Sequence, residues 1–160
     1  MRIDNTHRRR LAAPPESVGV LLDGLASPDD RLWPHDAWPA MRFDRPLQAG
    51  AVGGHGPIRY TVEEHRPGRS VVFRFAGPPG LSGTHRFEIA ADGDGALMTH
   101  VIDGTASPRF TPAWVLWYRP LHDALLEDAF DRAEAACTGA VARPARWSWW
   151  VRVLRRTLGR

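Results

Sequence analysis

Two histidines, His85 and His100, have a residue type and spacing that can support chemistry. Each shares the alternating pattern of a β-strand with large apolar residues, Phe87 beside the first and Met98 beside the second. If both faces point inward, the two imidazoles line one cavity, where they can orient a ligand carbonyl or move a proton near neutral pH. The alternative is that each is a hydrogen-bonded histidine in a partly polar wall.

Metal ligands do not converge in the sequence pattern. No HxH or HExxH spacing is present. His65 has the opposite strand parity from Tyr60, and His122 lies beyond a predicted helix kink. Glu64 has inward parity, but a metal site would need further ligands at matching geometry. We therefore predict no metal site and no cofactor.

The run Gly77–Gly83 raises the question of a phosphate loop, because it holds three glycines and two prolines. A phosphate loop presents successive backbone N–H groups and usually a lysine ahead of a helix. Here Pro78 and Pro79 carry no N–H, no lysine is present, and the residues that follow alternate like a strand. The run therefore predicts a turn between two strands.

Length and charge describe one globular domain with a distinct tail. At 160 residues and 43% hydrophobic content, the chain can bury a single sizeable core. Residues 1–140 hold 15 Arg and all 18 acids, a net charge of −3, whereas residues 141–160 hold six Arg and no acid, a net charge of +6. A slightly acidic body argues against a nucleic-acid partner, which would require arginine over a broad surface.

The sequence also bears on where the protein works. The N-terminal segment MRIDNTHRRR is not followed by the apolar stretch of a secretory signal, and no window approaches the roughly 18 apolar residues of a spanning helix. The single cysteine, Cys137, allows no internal disulfide and is predicted to fill the core. We predict a cytoplasmic protein and leave open a peripheral position at the inner membrane face.

Between Met41 and Ala106 the pattern predicts strands joined by turns. Alternating runs occupy residues 58–62, 71–75, 85–89 and 98–102. Because their connections are short, neighbouring strands should pair antiparallel. A first strand is predicted at Thr6–Leu11, and the region from Arg42 to Gly54 must supply the remaining one or two.

Three helices are predicted around these strands. The first begins at Pro15, and a short second one starts at Ser27 and stops at Trp33. The third runs from about Thr111 to Cys137, carries an apolar stripe wide enough to cover a sheet, and must kink or divide at Pro120. A curved antiparallel sheet with one apolar face needs such a cover, so the sequence predicts an α+β fold.

Several segments resemble the SRPBCC superfamily, which includes START domains, Bet v 1-like proteins and polyketide cyclase/dehydrase-like proteins. The segments are AAPPESVGVLLDGL, FRFAGPPGLSGTHRFEI, ALMTHVIDG and RPLHDALLEDAFDRAE, and the likeness covers residues 4 to about 137. The resemblance implies a helix-grip fold, in which a seven-stranded sheet wraps round a C-terminal helix and encloses a cavity for lipids, sterols, polyketides or similar molecules. It lies in element order, so it carries a fold and no catalytic signature.

Strand parity and helix spacing predict one interior surface for a ligand. Its expected residues are Phe73, Phe75, His85, Phe87, Met98, His100, Trp117, Leu121 and Leu125. Two functions are compatible with such a surface. The protein is either a carrier or sensor of a hydrophobic small molecule, or a cyclase, aromatase or dehydratase of polyketide type with His85 and His100 as the acid/base pair.

The tail, residues 139–160, is predicted to be a linker and a basic amphipathic helix outside the ligand-binding domain of residues 1–138. The residues expected to contact an anionic membrane or a partner are Trp147, Trp150, Val151, Leu154, Leu158, Arg152, Arg155 and Arg156. Aromatic residues on one face and only positive charge on the other suit a helix lying at such a surface. The alternatives are that the stripe docks on the protein's own body or on a second copy, as in a homodimer.

Overall fold

The computed structural model describes residues 1–158, except the side chain of Leu158. Within this range the chain forms one antiparallel sheet of seven strands in the order β1-β7-β6-β5-β4-β3-β2. The strands are β1 (Arg2–Leu11), β2 (Arg42–Phe43), β3 (Val52–His55), β4 (Ile58–Arg66), β5 (Ser70–Gly77), β6 (Leu81–Asp92) and β7 (Gly95–Ala106). The region from Arg42 to Gly54 therefore supplies parts of two strands, as the sequence requires.

The helices in the described range are α1 (Pro15–Asp23), α2 (Thr111–Ala113), α3 (Arg119–Thr138) and α4 (Trp149–Leu158). A π-helical segment, Trp114–Tyr118, joins α2 to α3, so that the long helix is continuous. No helix in the described range is both long enough and apolar enough to cross a membrane.

The predicted strand-to-strand turn after Gly77 is present, with Pro78–Gly80 joining β5 to β6. These strands pair antiparallel, with Phe73 opposite His85. Gly80 has φ +94°, a backbone conformation that favours glycine, which explains why the turn contains one.

The predicted short helix from Ser27 to Trp33 is wrong, because this segment forms turns. The Asp30 carboxylate accepts hydrogen bonds from the backbone N–H groups of Ala26, at 2.7 Å, and of Leu32 and Trp33, at 2.8 Å each. Aspartate side chains compete with helical hydrogen bonds in this way, and here one carboxylate satisfies three donors of an irregular loop.

The core lies between the concave face of the sheet and α3. Its fully buried members from β4, β5 and β6 include Tyr60, Phe73 and Phe87, and α3 contributes Leu126 and Phe130. Burying one apolar side chain of this size stabilises the fold by about 1.5–3 kcal/mol. The sheet thus curls round the apolar stripe that the helix spacing predicts.

Arg9 connects the first strand to the long helix. Its guanidinium donates to Glu127 at 3.0 Å, Asp131 at 2.9 Å and Glu134 at 2.8 Å. Charge-assisted hydrogen bonds of this kind are about twice as strong as neutral ones. The acidic side of α3 is therefore turned towards β1.

Pro120 interrupts the long helix without dividing it. Because proline has no N–H, the carbonyl of Leu116 lacks its usual α-helical donor. The preceding turn winds as a π-helix, and the indole Nε1 of Trp150 donates to the Leu116 carbonyl at 2.8 Å. A backbone group freed by the proline thus binds the tail helix α4.

The structure places the apolar stripe of α4 against the protein's own body. Val151 and Leu154 are only 4% and 2% exposed. The indole Nε1 atoms of Trp147 and Trp38 both donate to one Asp128 carboxylate oxygen, at 2.8 and 2.7 Å. Of the alternatives for the tail, docking on the body is the one that this conformation adopts, so Trp147, Val151 and Leu154 do not face a membrane or partner in it.

The other tail residues that were predicted to contact a membrane or partner differ in their exposure. Trp150 is half-buried, and Arg155 is half-buried against Trp38, with its guanidinium carbon 4.7 Å from the ring centroid. Arg152 and Arg156 are exposed. The side chain of Leu158 lies outside the described residues.

Candidate functional site

A cavity of about 450 Å³ opens between the concave sheet and the beginning of the long helix. Most of its wall is apolar or aromatic. The apolar and aromatic lining residues are Trp38, Pro39, Gly56, Pro57, Ile58, Phe75, Leu81, Ile102, Ala113, Trp114, Trp117, Tyr118, Leu121 and Leu125. A concave site of this size and character is typical of those that hold small organic molecules.

Three histidines and one arginine, His55, His85, His122 and Arg155, supply the other polar groups of the wall. His85 is only 6% exposed, and its Nε2 atom has no hydrogen-bond partner. The Nε2 atom of His122 is also buried without a partner. Buried ring nitrogens without partners are costly, and a ligand that hydrogen-bonds to them would remove that cost.

His85 and His100 lie on neighbouring strands and face the same side of the sheet. The Nδ1 atom of His85 is 3.3 Å from the Nε2 atom of His100, so one of the two nitrogens donates a hydrogen bond to the other. Phe73 and Phe75 both stack on the His85 ring, at centroid distances of 4.7 and 4.9 Å. His85 reaches the cavity wall, whereas His100 lies behind it against Phe87, at 4.6 Å.

A charged network lies beyond His100. His122 in α3 is 5.0 Å from the His100 ring and 5.8 Å from the His7 ring. His7 contacts Asp123 through Nε2 and Glu127 through Nδ1, each at 3.0 Å. The histidines thus run from the cavity wall to two carboxylates on α3.

Burial separates these histidines into two electrostatic groups. Desolvation, together with the neighbouring histidines, holds the pKa values of His85 and His100 well below the ordinary 6.5. Burial also lowers the pKa of His122, although Asp123 opposes the shift. For His7, burial favours the neutral form, but the contacts with Asp123 and Glu127 outweigh it and raise the pKa. Neutral imidazoles therefore face the cavity, and the charge sits behind them.

His55 at the end of β3 is the third histidine of the wall. Its Nδ1 atom is 3.1 Å from the hydroxyl of Tyr60, which is fully buried. Desolvation, with smaller contributions from His122 and Arg59, lowers the pKa of His55 to about 3. This side is also neutral near pH 7, so the pocket suits a ligand with few charges in its body.

The nine residues predicted to form the interior surface lie in two layers. Phe75, His85, Trp117, Leu121 and Leu125 line the cavity. Phe73, Phe87, Met98 and His100 are buried in the layer behind it. The six strand residues among them all lie on the concave side of the sheet, but strand parity cannot separate the wall from the layer beneath.

Most wall residues were not among those predicted from the sequence, and four of them, Trp38, His55, His122 and Arg155, show why. His55 and Trp38 come from irregular or short elements, where no periodicity indicates a direction. Arg155 comes from the tail, 53 residues after Ile102 in the same wall. His122 was set aside because it follows the helix kink; the continuous helix brings it to the site instead.

One cluster has ligand atoms of the types that hold metal ions. The relevant atoms of His7, His122 and Asp123 lie within 4.8 Å of one another. The hydrogen bonds and ion pairs among these residues, with Asn5 donating to Asp123 at 3.0 Å, account for their proximity.

Glu64, which strand alternation predicted to point inward, is exposed and pairs with Arg66. A β-bulge between Val62 and Glu64 reverses the direction of its side chain.

A seven-stranded antiparallel sheet gripping a long C-terminal helix defines the helix-grip fold, and the predicted fold class is confirmed. No family model and no curated protein matches the chain. Solved structures do match it. A protein from Thermobifida fusca has a TM-score of 0.65 at 17% identity, over 91% of this chain and 99% of that one.

Two further solved structures share the architecture. CalU16 from Micromonospora echinospora has a TM-score of 0.60 at 16% identity, over 87% of this chain and 68% of that one. The di-domain ARO/CYC protein StfQ from the steffimycin biosynthetic pathway has a TM-score of 0.64 at 13% identity, over 87% of this chain and 51% of that one. At these identities the similarity shows the shared helix-grip fold and nothing finer.

Proposed function

We propose that the protein binds a hydrophobic small molecule, such as a lipid or polyketide, in the cavity between the sheet and the long helix. The carrying observation is an apolar, aromatic cavity of about 450 Å³ whose wall includes His85 and His122, each with a buried ring nitrogen that has no hydrogen-bond partner. Phe75, Trp117, Leu121 and Leu125 would contact the apolar body of the ligand, and His85 would orient a polar atom of it. Phe73, Phe87, Met98 and His100 would hold that wall in place.

Filling the cavity with a larger side chain should strongly weaken the binding of an apolar molecule. Ala113 lines the cavity, and Ala113→Phe places a phenyl ring in the space that the ligand would occupy. We expect the affinity for the neutral fluorescent probe phenylnaphthylamine to fall at least about tenfold, since the probe loses its buried apolar contacts. Fluorescence titration measures the change.

Val115→Phe is the matched control. Val115 lies two residues away on the same helix, is exposed and is not part of the wall. It should leave the affinity unchanged within about twofold. Equal binding by the two variants and the wild type would place the probe elsewhere and refute the cavity as the binding site.

A second candidate function is acid–base catalysis on the bound molecule, as in a cyclase, aromatase or dehydratase. The observation in its favour is that His85 and His122 present neutral ring nitrogens without partners at the cavity wall. Holding a flexible poly-carbonyl chain in one conformation supplies much of such a reaction, and a neutral imidazole can take up and return the proton. His100 would then position His85 through their hydrogen bond.

Product analysis separates the two functions. With a synthetic linear poly-β-ketone, an enzyme should shift the ratio of cyclised products away from the spontaneous one, and His85→Gln should cancel most of the shift while phenylnaphthylamine still binds. His35→Gln changes an exposed histidine outside the cavity and should keep the wild-type ratio. A wild-type protein that binds the poly-β-ketone but leaves the spontaneous ratio unchanged is a carrier of this molecule.

A further inference from the structure

Arg155 is the one permanently charged side chain in the described wall of the cavity. It comes from α4, whereas the rest of the wall comes from the sheet, the long helix and the loops at residues 38–39 and 56–57. The nearby neutral histidines do not compensate its charge. An isolated guanidinium at the edge of an apolar cavity is costly unless an anion or several hydrogen bonds accompany it.

Within residues 1–158, no carboxylate lies within 4.0 Å of Arg155. One guanidinium nitrogen, Nη2, donates to the backbone carbonyl of Ala37, and the group lies over the Trp38 ring at 4.7 Å and 5.9 Å from the Trp147 ring. Its Nε atom is buried without an acceptor. The aromatic rings hold the cation in place and leave part of its donor capacity unused.

A second depression adjoins the cavity at this point. Trp38, Pro39 and Arg155 line both. The outer depression adds two further arginines of α4, Arg152 in the preceding turn and Arg156 directly after Arg155. Its one acidic residue, Asp36, already accepts a hydrogen bond from Arg132 at 2.9 Å. Positive charge therefore accumulates on one side of the cavity, where the tail helix meets the loop of residues 35–39.

We propose that this edge is a subsite for an anionic group, a carboxylate, phosphate or sulfonate, carried by a molecule whose apolar body fills the cavity. The inference rests on the proposed ligand binding and names the ligand as an anionic amphipath. Arg155 contacts the anion directly with its free N–H groups, and Arg152 and Arg156 add longer-range attraction. The tail helix thus determines which hydrophobic molecules are bound.

Two probes with the same body separate the subsite from the cavity. Phenylnaphthylamine is neutral, and anilinonaphthalene sulfonate carries an added sulfonate on the same ring system. Arg155→Gln should weaken binding of the sulfonate about tenfold, the effect of losing one charge-assisted contact, and change the neutral probe less than about twofold. Arg155→Lys, which keeps the charge, should retain most of the preference for the sulfonate.

Arg146→Gln is the control, because it removes the same charge from an exposed tail residue outside both depressions. It should affect neither probe. An equal loss for both probes in Arg155→Gln would assign Arg155 a structural role, and an unchanged affinity for the sulfonate would also overturn the subsite. A wild-type protein that binds neither probe would refute the proposed function itself, which is a different result.

Vesicles distinguish the source of the anion. Co-sedimentation with phosphatidylglycerol vesicles that is lost in Arg155→Gln would identify the anion as a lipid headgroup. Tight binding of the monomeric sulfonate without co-sedimentation would identify a freely diffusing amphipath. Both results support the subsite, whereas insensitivity of both measurements to Arg155→Gln contradicts it.

Discussion

Acidification from about pH 7.5 to about pH 5.5 is expected to destabilise the protein steeply, because its buried histidines resist protonation. Burial lowers the pKa values of His55, His85, His100 and His122 below the ordinary 6.5, to about 3 for His55. Below pH 6.5 the unfolded chain takes up protons that the folded chain does not. Each such histidine therefore costs up to about 1.4 kcal/mol of stability per pH unit.

His7 changes the stability in the opposite direction as the pH falls. Its raised pKa means that the folded state holds the proton more tightly, so its contribution is present below pH 6.5 and is lost as the pH rises through the folded value. One opposing histidine does not cancel four. The net free energy of unfolding should fall by several kcal/mol across the acid range.

Urea unfolding at a series of pH values measures this slope. His100→Gln removes one buried titrating group and should reduce the slope by up to about 1.4 kcal/mol per pH unit, whatever it does to the absolute stability. A free energy of unfolding that stays constant between these pH values would show that the buried histidines are protonated as easily in the folded chain as in the unfolded one.

Leu154→Ala is expected to lower the free energy of unfolding by about 3 kcal/mol, within the range for removing a fully buried leucine side chain. Leu154 is 2% exposed on the inner face of α4, so its loss leaves a cavity between the tail and the body. A tail that only lay on a membrane or partner would contribute nothing to the stability of the isolated protein. Chemical denaturation monitored by tryptophan fluorescence measures the difference.

Val153→Ala provides the comparison from the neighbouring position. Val153 is 38% exposed on the outer face of the same helix, and its truncation should change stability by no more than about 0.5 kcal/mol. If the two substitutions have equal and small effects, the tail does not dock on the body in solution.

The fold and one side of the site could be predicted from local patterns. Alternation at Phe73, His85 and Phe87 gives the inner face of two consecutive strands, and the helical spacing of Leu125 and Phe130 gives the face that covers them. Both patterns are properties of a few adjacent residues. The expected helix-grip fold follows once short connections require antiparallel pairing.

The other parts of the site depend on contacts between residues that are distant in the sequence, or on interruptions of the strand alternation. The bulge after Val62 reverses the direction of Glu64, and one extra residue in a strand leaves no mark in its composition. His55 and Arg155 enter the same wall from residues 100 positions apart. Arg9 and His7 of β1 pair with the acidic face of α3, which lies far along the chain, and no local pattern indicates these pairs.

The position of β1 in the sheet has a consequence for the newly made chain. This strand is made before the other described elements, yet the two elements that it contacts, β7 and α3, begin more than 80 residues later in the chain. At about 5–20 residues per second, translation leaves β1 without its partners for several seconds or more. During that interval it is an unpaired edge, and charges on its outward side, at Arg2, Arg8 and Arg10, are the kind of feature that deters pairing with other nascent chains. The alternation that later separates the two faces of the strand therefore also protects the chain during its synthesis.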